Sequence, residues 1–455
     1  MTEHIHFIGI GGTGLSAIAR VLHESGQQVS GSDRALSPLA AALRADGVTV
    51  HEGHAAAHIN GATTVVRSSA IPDTNVEVQA ALAKGIPVLK RADFLGQLMA
   101  NTVGIAVAGT HGKTTTTSMI AWMLTVLDFD PTFISGGVIA NLETNAHAGK
   151  GAHFVIEADE YDRMFLGLRP KIAIITNVEH DHPDCFPTPE DFFNAFREFI
   201  RLLPVDGTLI ACADDGGVNT LLGALSQPQP GWITYGLSES CRVQGCNLVS
   251  QPGSGYQFDL YIDNKFQTQV ALQVPGQHNV LNALAAFSVA HTLTLSIPDA
   301  ARALGEFRGA GRRFEIRGEV NGVLVIDDYA HHPTEIRATL AAARARYPAR
   351  PIWAVWQPHT YSRTQTLANQ FATAFGDADH VLVTDVYASR EIAPAGFSLR
   401  SLLEEMSPLD VQHIPSLAGV GEYLRNHLSS GDVLLVLSAG DADQISQMVL
   451  EPAHV

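Results

Sequence analysis

Short runs of aliphatic and β-branched residues alternate with amphipathic segments of helix length along most of the chain. The pattern predicts strands over residues 4–10, 28–31 and 65–67, with helices over 14–24, 36–45 and 75–84. A second cycle opens with a strand over 103–108 and a helix over 114–127, and further strands are expected at 153–156 and 171–175. A third opens near 323–326 and continues with helices over 333–347 and 363–375 and strands over 352–355, 380–384 and 433–437. This strand–helix rhythm predicts an α/β protein whose mostly parallel sheets are covered by helices. Residues 226–277 break the rhythm. They are rich in Gly, Pro, Ser and Gln and alternate in stretches such as 256–262, which predicts a small antiparallel appendage.

The 455 residues correspond to roughly three domains. The expected boundaries lie near residues 98 and 307, giving segments 1–98, 99–307 and 308–455. With 46% hydrophobic and 16% charged residues, the chain has enough apolar material for packed cores, which excludes general disorder. A net charge of −17 disfavours a general nucleic-acid or anionic-membrane binder. Cys185, Cys212, Cys241 and Cys246 show no C-x-x-C spacing and are read as ordinary thiols of a reducing compartment. The first apolar run leads straight into glycines, as a strand does and a signal peptide does not, and no run reaches the ~18 residues of a membrane span. A cytoplasmic, soluble protein is expected.

Candidate chemistry gathers at the predicted strand ends. Gly9-Ile10-Gly11-Gly12-Thr13-Gly14 matches G-x-G-x-x-G between a strand and a helix. Such glycines let the backbone approach a diphosphate, whose charge meets helix N-terminal N–H groups. Asp33, nineteen residues past Gly14, falls where a ribose-hydroxyl acceptor belongs. Taken alone, this motif reads as a dinucleotide site and an NAD-dependent oxidoreductase. The next strand runs into Gly109-Thr110-His111-Gly112-Lys113-Thr114-Thr115 and then a helix. Here N–H groups can cradle phosphates, Lys113 can reach the β/γ-phosphates and a hydroxyl can ligate Mg²⁺, although the glycine that opens the Walker pattern is replaced by Val107.

Two acidic or histidine-bearing segments follow other strands. Residues 157–162 hold four carboxylates, Glu157, Asp159, Glu160 and Asp162, which repel one another unless a cation is near. Residues 176–182 carry Glu179, His180, Asp181 and His182. Together with the glycine–lysine loop they suggest Mg²⁺ held by hydroxyl, carboxylate and imidazole. A zinc pair from His180 and His182 is the alternative, without a clear third ligand. Further clusters lie at His278-Asn279, Arg312-Arg313, Asp327 to Pro333 and Gln357 to Thr364. Successive strand ends of one sheet converge on a crevice, which favours a binding role for the last two.

This ordered set of motifs, spanning essentially the whole chain, resembles the Mur ligase family, which builds the peptide stem of peptidoglycan. The resemblance implies three domains: a Rossmann-like one for a UDP-sugar, a central P-loop ATPase with a mostly parallel sheet and a small antiparallel one, and a C-terminal Rossmann-like domain for amino acid and ATP. It implies a UDP-sugar, not NAD, on Gly11, Gly12, Thr13 and Gly14, with Asp33, His54, Ser68 and Ser69 near its uridine and ribose. ATP would lie on Gly109, Thr110, His111, Gly112, Lys113, Thr114 and Thr115, with Asn279, Arg313 and Asp328. Thr114, Glu157 and His182 would hold Mg²⁺. Lys113, His182, Arg313, His331, His332 and Arg363 would serve the reaction, an ATP-driven joining of an amino acid to the sugar's lactyl carboxylate. Some branches carry a carbamylated lysine about fourteen residues after the Asp-His pair. That position is Phe196, which implies the branch adding L-alanine or its relative that recycles a whole tripeptide. Many alanine-adding members have arginine where Thr360 stands. No nucleic-acid or membrane partner is implied, and a monomer or weak homodimer is expected.

Overall fold

The computed structural model describes residues 3–225, 231–406 and 410–451. Residues 226–230 of the expected antiparallel appendage lie outside these. The chain divides into two compact units, one of Met1–Glu179, Pro189–Gln244 and Ala283–Leu304, the other of His180–Thr188, Gly245–Asn282 and Gly305–Val455.

In the first unit, five parallel strands form a sheet in the order Thr49–Glu52, Gln28–Asp33, His4–Ile8, Thr64–Arg67, Val88–Lys90. His4–Ile8 is buried along its whole length, as a central parallel strand must be. Helix Thr13–Glu24 covers the sheet by burying Leu15, Ile18, Ala19 and Leu22, a helical-period stripe. Strand order departs in both directions from His4–Ile8, so the carboxyl ends of His4–Ile8 and Thr64–Arg67 flank a topological switch point.

The same unit holds strands ordered Trp232–Gly236, Thr208–Cys212, Ile172–Ile175, Val103–Ala108, His153–Glu157, Thr132–Ile139, Thr144–His147. All neighbours are parallel except the last pair. Val103–Ala108, central and nearly all buried, feeds helix Lys113–Val126. Helix Pro189–Ile200 buries Phe192, Phe196 and Phe199. Phe196 lies 5.4 Å from Phe165 and 5.1 Å from Phe192, ring to ring, and is fully buried.

In the second unit, Tyr256–Ile262 and Lys265–Ala271 form an antiparallel hairpin, as the alternation predicts. A six-stranded sheet runs Glu315–Val320, Val323–Asp328, Val433–Leu437, Ile352–Trp356, His380–Val383, Asp410–His413. Only the first pair is antiparallel. Trp356 anchors one face, its ring 4.6 Å from Phe371 and 5.3 Å from Phe375.

Strands Thr49–Glu52, Val88–Lys90, Thr132–Ile139, Thr144–His147, Thr208–Cys212 and Asp410–His413 are not among those predicted, and Trp232–Gly236, inside the segment expected to be an antiparallel appendage, pairs parallel with Thr208–Cys212. Two further differences have a local cause. Strand Glu315–Val320 was not anticipated, because an edge strand alternating charge with Ile316 and Val320 and interrupted by Gly318 carries little apolar signal. The helix expected over 363–375 is two short ones, Tyr361–Thr366 and Ala368–Ala372, meeting at Leu367 with φ −106°. The β-branched Thr364 and Thr366 lower helix propensity just before the break.

Phe196→Ala removes a fully enclosed ring from this aromatic cluster. Chemical denaturation is expected to show a loss of about 3–5 kcal/mol in unfolding free energy.

Candidate functional site

The first loop begins directly after His4–Ile8. Gly9 has φ +86°, a conformation glycine adopts at little cost. The Gly11 N–H donates to Asp33 Oδ2 at 2.8 Å, and Ser37 Oγ donates to the Gly11 carbonyl at 2.9 Å. A Cβ at Gly11 would lie 2.9 Å from Asp33 Oδ2. Strand Gln28–Asp33 is two residues longer than predicted, which brings Asp33 to this brace; its Oδ1 accepts the Arg34 N–H at 2.7 Å. Ser68 follows Thr64–Arg67 and faces Gly9, where an added Cβ would lie 3.2 Å from the Ser68 Cβ; Ser69 is exposed.

His54 belongs to a cluster that the sequence did not announce. Its Nδ1 lies 3.0 Å from Ser32 Oγ and 3.3 Å from Glu77 Oε2. Glu77, fully buried, also accepts from Ser32 Oγ at 2.5 Å and lies 2.8 Å from His58 Nδ1 and 3.7 Å from His6 Nε2. Burial pushes this carboxyl up, but the His6 and Ser32 side chains outweigh it and bring Glu77 down to about 2.

The second loop is built by glycines and by the strand beside it. Gly109 has φ +139° and Gly112 φ +78°; a side chain at Gly109 would run into Thr176 Oγ1. Residues 176–179 wall the loop. Thr176 Oγ1 donates to the His111 carbonyl at 2.6 Å, the His111 N–H donates to Asn177 Oδ1 at 2.8 Å, and Thr110 Oγ1 donates to the Glu179 carbonyl at 2.8 Å. His111 Nε2 lies 3.1 Å from Glu179 Oε2.

Lys113 Nζ donates to the Gly109 carbonyl at 2.6 Å and the Thr110 carbonyl at 3.0 Å, and reaches Glu160 Oε2 at 2.9 Å. Burial works against its charge, but Glu160, Glu157 and Asp159 outweigh it and hold the ammonium above its ordinary pKa. Glu157 closes the neighbouring strand in register with Val107, and its Oε2 accepts the Gly136 N–H at 2.8 Å. Thr114 and Thr115 are buried in the first turn of helix Lys113–Val126. Glu160 was visible only as one member of an acidic run; nothing in the sequence marks it as the partner of Lys113.

In the second unit, Asp328 ends a strand and accepts N–H groups from Phe314 at 2.7 Å and Ala330 at 2.8 Å. Burial raises it to about 6 against the pull of Arg313. The guanidinium groups of Arg312 and Arg313 each lie 5.0 Å from the centre of the Tyr329 ring. His332 caps helix Pro333–Arg346 in a capping box with Glu335. His331 Nδ1 lies 2.9 Å from the Tyr329 carbonyl, and burial, partly offset by Glu335, pushes this imidazole down to about 3. Asn279 is buried, donating to the Pro275 carbonyl at 2.6 Å and accepting from Asn282 at 2.9 Å.

Arg363 is 3% exposed and forks onto Asp181, Nε to Oδ1 at 2.8 Å and NH2 to Oδ2 at 3.2 Å. Its NH1 lies 3.0 Å from His359 Nδ1, and its NH2 3.4 Å from His182 Nδ1. Burial would raise Asp181, yet Arg363 holds it well below the usual carboxylate range. Thr360 has φ +65° and accepts the Arg363 N–H at 3.4 Å, capping the helix that carries this arginine.

Asp181→Ala leaves a buried guanidinium without its carboxylate. Denaturation is expected to show a loss of about 3–5 kcal/mol, against no more than about 0.5 kcal/mol for Glu404→Ala, which removes an exposed pair with Arg400. Because folding lowers the pKa of Glu77 from 4.5 to about 2, its stabilisation is complete above about pH 4.5 and lost as pH falls toward 2. Glu77→Gln is therefore expected to be less stable than wild type at pH 7, with the gap closing on acidification, read by denaturation at stepped pH.

Three family models match successive segments: "Mur ligase family, catalytic domain" over residues 4–102, "Mur ligase middle domain" over 107–290 and "Mur ligase, glutamate ligase domain" over 312–440. The chain is 42% identical over 453 residues to a UDP-N-acetylmuramate–L-alanine ligase of Salinibacter ruber, covering 99% of this chain and 94% of that one. It is 40% identical over 452 residues to the enzyme of that name from Caldanaerobacter subterraneus, covering 99% and 97%. Among solved structures, the UDP-N-acetylmuramate–alanine ligase of Thermotoga maritima superposes with a TM-score of 0.83 at 29% identity, with 98% of each chain covered. A murein peptide ligase of Psychrobacter arcticus gives 0.71 at 30% identity, again with 98% of each covered.

Proposed function

The chain belongs to the Mur ligase family, and from that premise we propose that it joins L-alanine to the lactyl carboxylate of UDP-N-acetylmuramate, cleaving ATP to ADP and phosphate in peptidoglycan precursor synthesis. The observation that carries the ATP-driven chemistry is the glycine–lysine loop, with the Lys113 ammonium drawn between loop carbonyls and the Glu160 carboxylate. The alanine-adding branch is supported by full-length relatives of that name and by Phe196, enclosed among aromatic rings where other branches use a lysine. Family membership sets aside the NAD-dependent reading of the first loop.

Amide formation from a free carboxylate is uphill in water. Moving the γ-phosphoryl group of ATP onto the lactyl carboxylate gives an acyl phosphate and ADP. The amino group of alanine then attacks the acyl carbon, and phosphate leaves from the tetrahedral intermediate. Both steps move phosphate charge, so positioning and cationic stabilisation dominate. We assign the N–H groups of residues 109–115 and the Lys113 ammonium to the ATP phosphates, with Asn279, Arg313 and Asp328 as further ATP contacts. Gly11, Gly12, Thr13 and Gly14 are assigned to the UDP diphosphate, and Asp33, His54, Ser68 and Ser69 to its uridine side. His331, His332 and Arg363 are assigned to the amino acid.

The Thr114 hydroxyl and the Glu157 carboxylate are hard oxygen donors near the ends of adjacent strands, a donor chemistry that fits Mg²⁺. We assign them to one ion and His182 to a second; bound there, Mg²⁺ would offset charge on the phosphoryl oxygens. The segments 1–98, 99–307 and 308–455 are proposed as the three working domains. Among the described residues no helix is long and apolar enough to cross a membrane, and we place the enzyme in the cytoplasm as a monomer or weak homodimer.

Phosphate release with UDP-N-acetylmuramate and ATP, run over a panel of amino acids, tests the reading. Release dependent on L-alanine is expected. Release only with L-alanyl-γ-D-glutamyl-diaminopimelate would assign the tripeptide-recycling reaction instead, and none with any acceptor would sink both. Lys113→Ala is expected to cut turnover by about 10²–10³-fold while UDP-sugar affinity is kept.

A further inference from the structure

The last glycine of the first loop makes room for a cation. A Cβ at Gly14 would collide with NH1 of Arg91 and lie 3.2 Å from its Cζ. The far side of the same guanidinium donates through NH2 to Asp159 Oδ2 at 3.2 Å. Arg91 is fixed by its helix, Arg91–Leu98, which is pressed onto the segment Tyr161–Gly167. There a Cβ at Gly96 would strike the Gly167 carbonyl, and one at Gly167 would lie 2.5 Å from the Ala92 carbonyl. Asp159 is fixed as well, its Oδ1 accepting the Tyr161 N–H at 3.0 Å and its carbonyl the Phe165 N–H at 3.0 Å.

The electrostatics of this arrangement point outward. Helix Thr13–Glu24 starts at Gly12 with no side-chain cap and no acidic residue in its first turn. Its amino end therefore carries the positive pole of the helix dipole together with unsatisfied N–H groups. A guanidinium held against that pole is repelled by it. Two positive features are thus fixed side by side, and both are satisfied by an anion placed between them.

Resting on the UDP-sugar reading of this loop, we propose that Arg91 is a diphosphate-binding residue of the donor site, held in place by Asp159 and admitted by the missing side chain at Gly14. Asp159 shares its segment with Glu160, the partner of Lys113, so the arginine also ties the donor loop to the acidic run beside the ATP loop.

The test is calorimetric titration of the full chain with UDP-N-acetylmuramate, with UDP and, separately, with ATP. Arg91→Ala is expected to weaken both uridine diphosphates by about 10- to 100-fold, with ATP affinity and thermal unfolding unchanged, and Arg91→Lys to recover part of the loss. Asp159→Asn, which keeps the arginine, is expected to retain most of the UDP affinity. Wild-type UDP affinity in Arg91→Ala, or a loss shared equally with ATP, would overturn the proposal, as would an Asp159→Asn defect as large as that of Arg91→Ala. If the wild-type chain itself ignores UDP and its sugar, the functional reading fails, and this inference with it.

Discussion

An ammonium largely withdrawn from water must be met by anionic or dipolar partners, and Lys113 imposes that condition on everything around it. Two partners are carbonyls of its own loop, which fold back over the side chain only because Gly109 and Gly112 take left-handed conformations. The third, Glu160, comes from another strand end, brought alongside by the parallel pairing that sets Val107 opposite Glu157. Thr176 and Asn177, at the end of a third strand, complete the wall by binding the His111 carbonyl. One charge thereby draws the ends of three strands together, and the shape of the glycine–lysine loop follows from it.

Much of this was legible because the chemistry lies where strands give way to helices. Glycines followed by lysine and threonine, or an apolar run giving way to a cluster of acids, mark such junctions whatever their tertiary surroundings. The spacing from Gly14 to Asp33 was legible too, and the contact it serves in the structure is a brace on the Gly11 N–H. What escaped notice are partners distant in sequence. Glu77 sits in the first turn of a short, mostly apolar helix and gains its meaning from Ser32 and three histidines of other elements. Arg91 reads as one more surface cation of a short helix. Asp181 and Arg363 stand 182 positions apart, and no local pattern joins them. The edge strand Glu315–Val320 was hidden for the opposite reason, since exposure leaves it nothing apolar to display.

Thr360 shows how local strain supports a distant group. A β-branched residue at φ +65° and ψ 146° lies in a region that side chains rarely occupy, and the surroundings must hold it there. Its N–H donates to the Tyr387 carbonyl at 3.1 Å, its carbonyl accepts the Thr364 hydroxyl at 2.7 Å, and its own hydroxyl caps the helix. The helix start is thereby fixed, and with it the origin of the Arg363 side chain. The arginine reaches Asp181 from a stem that has little freedom to lose, which favours its two-pronged geometry.

The enclosed ring at position 196 reaches beyond packing. A lysine there becomes a working ligand only after its amine has captured carbon dioxide, a reversible step that follows the dissolved gas and bicarbonate of the medium. A phenyl ring has no nitrogen to undergo that reaction. Through this position, at least, the enzyme's competence is indifferent to the carbon dioxide tension around it, and degassing has nothing here to strip away.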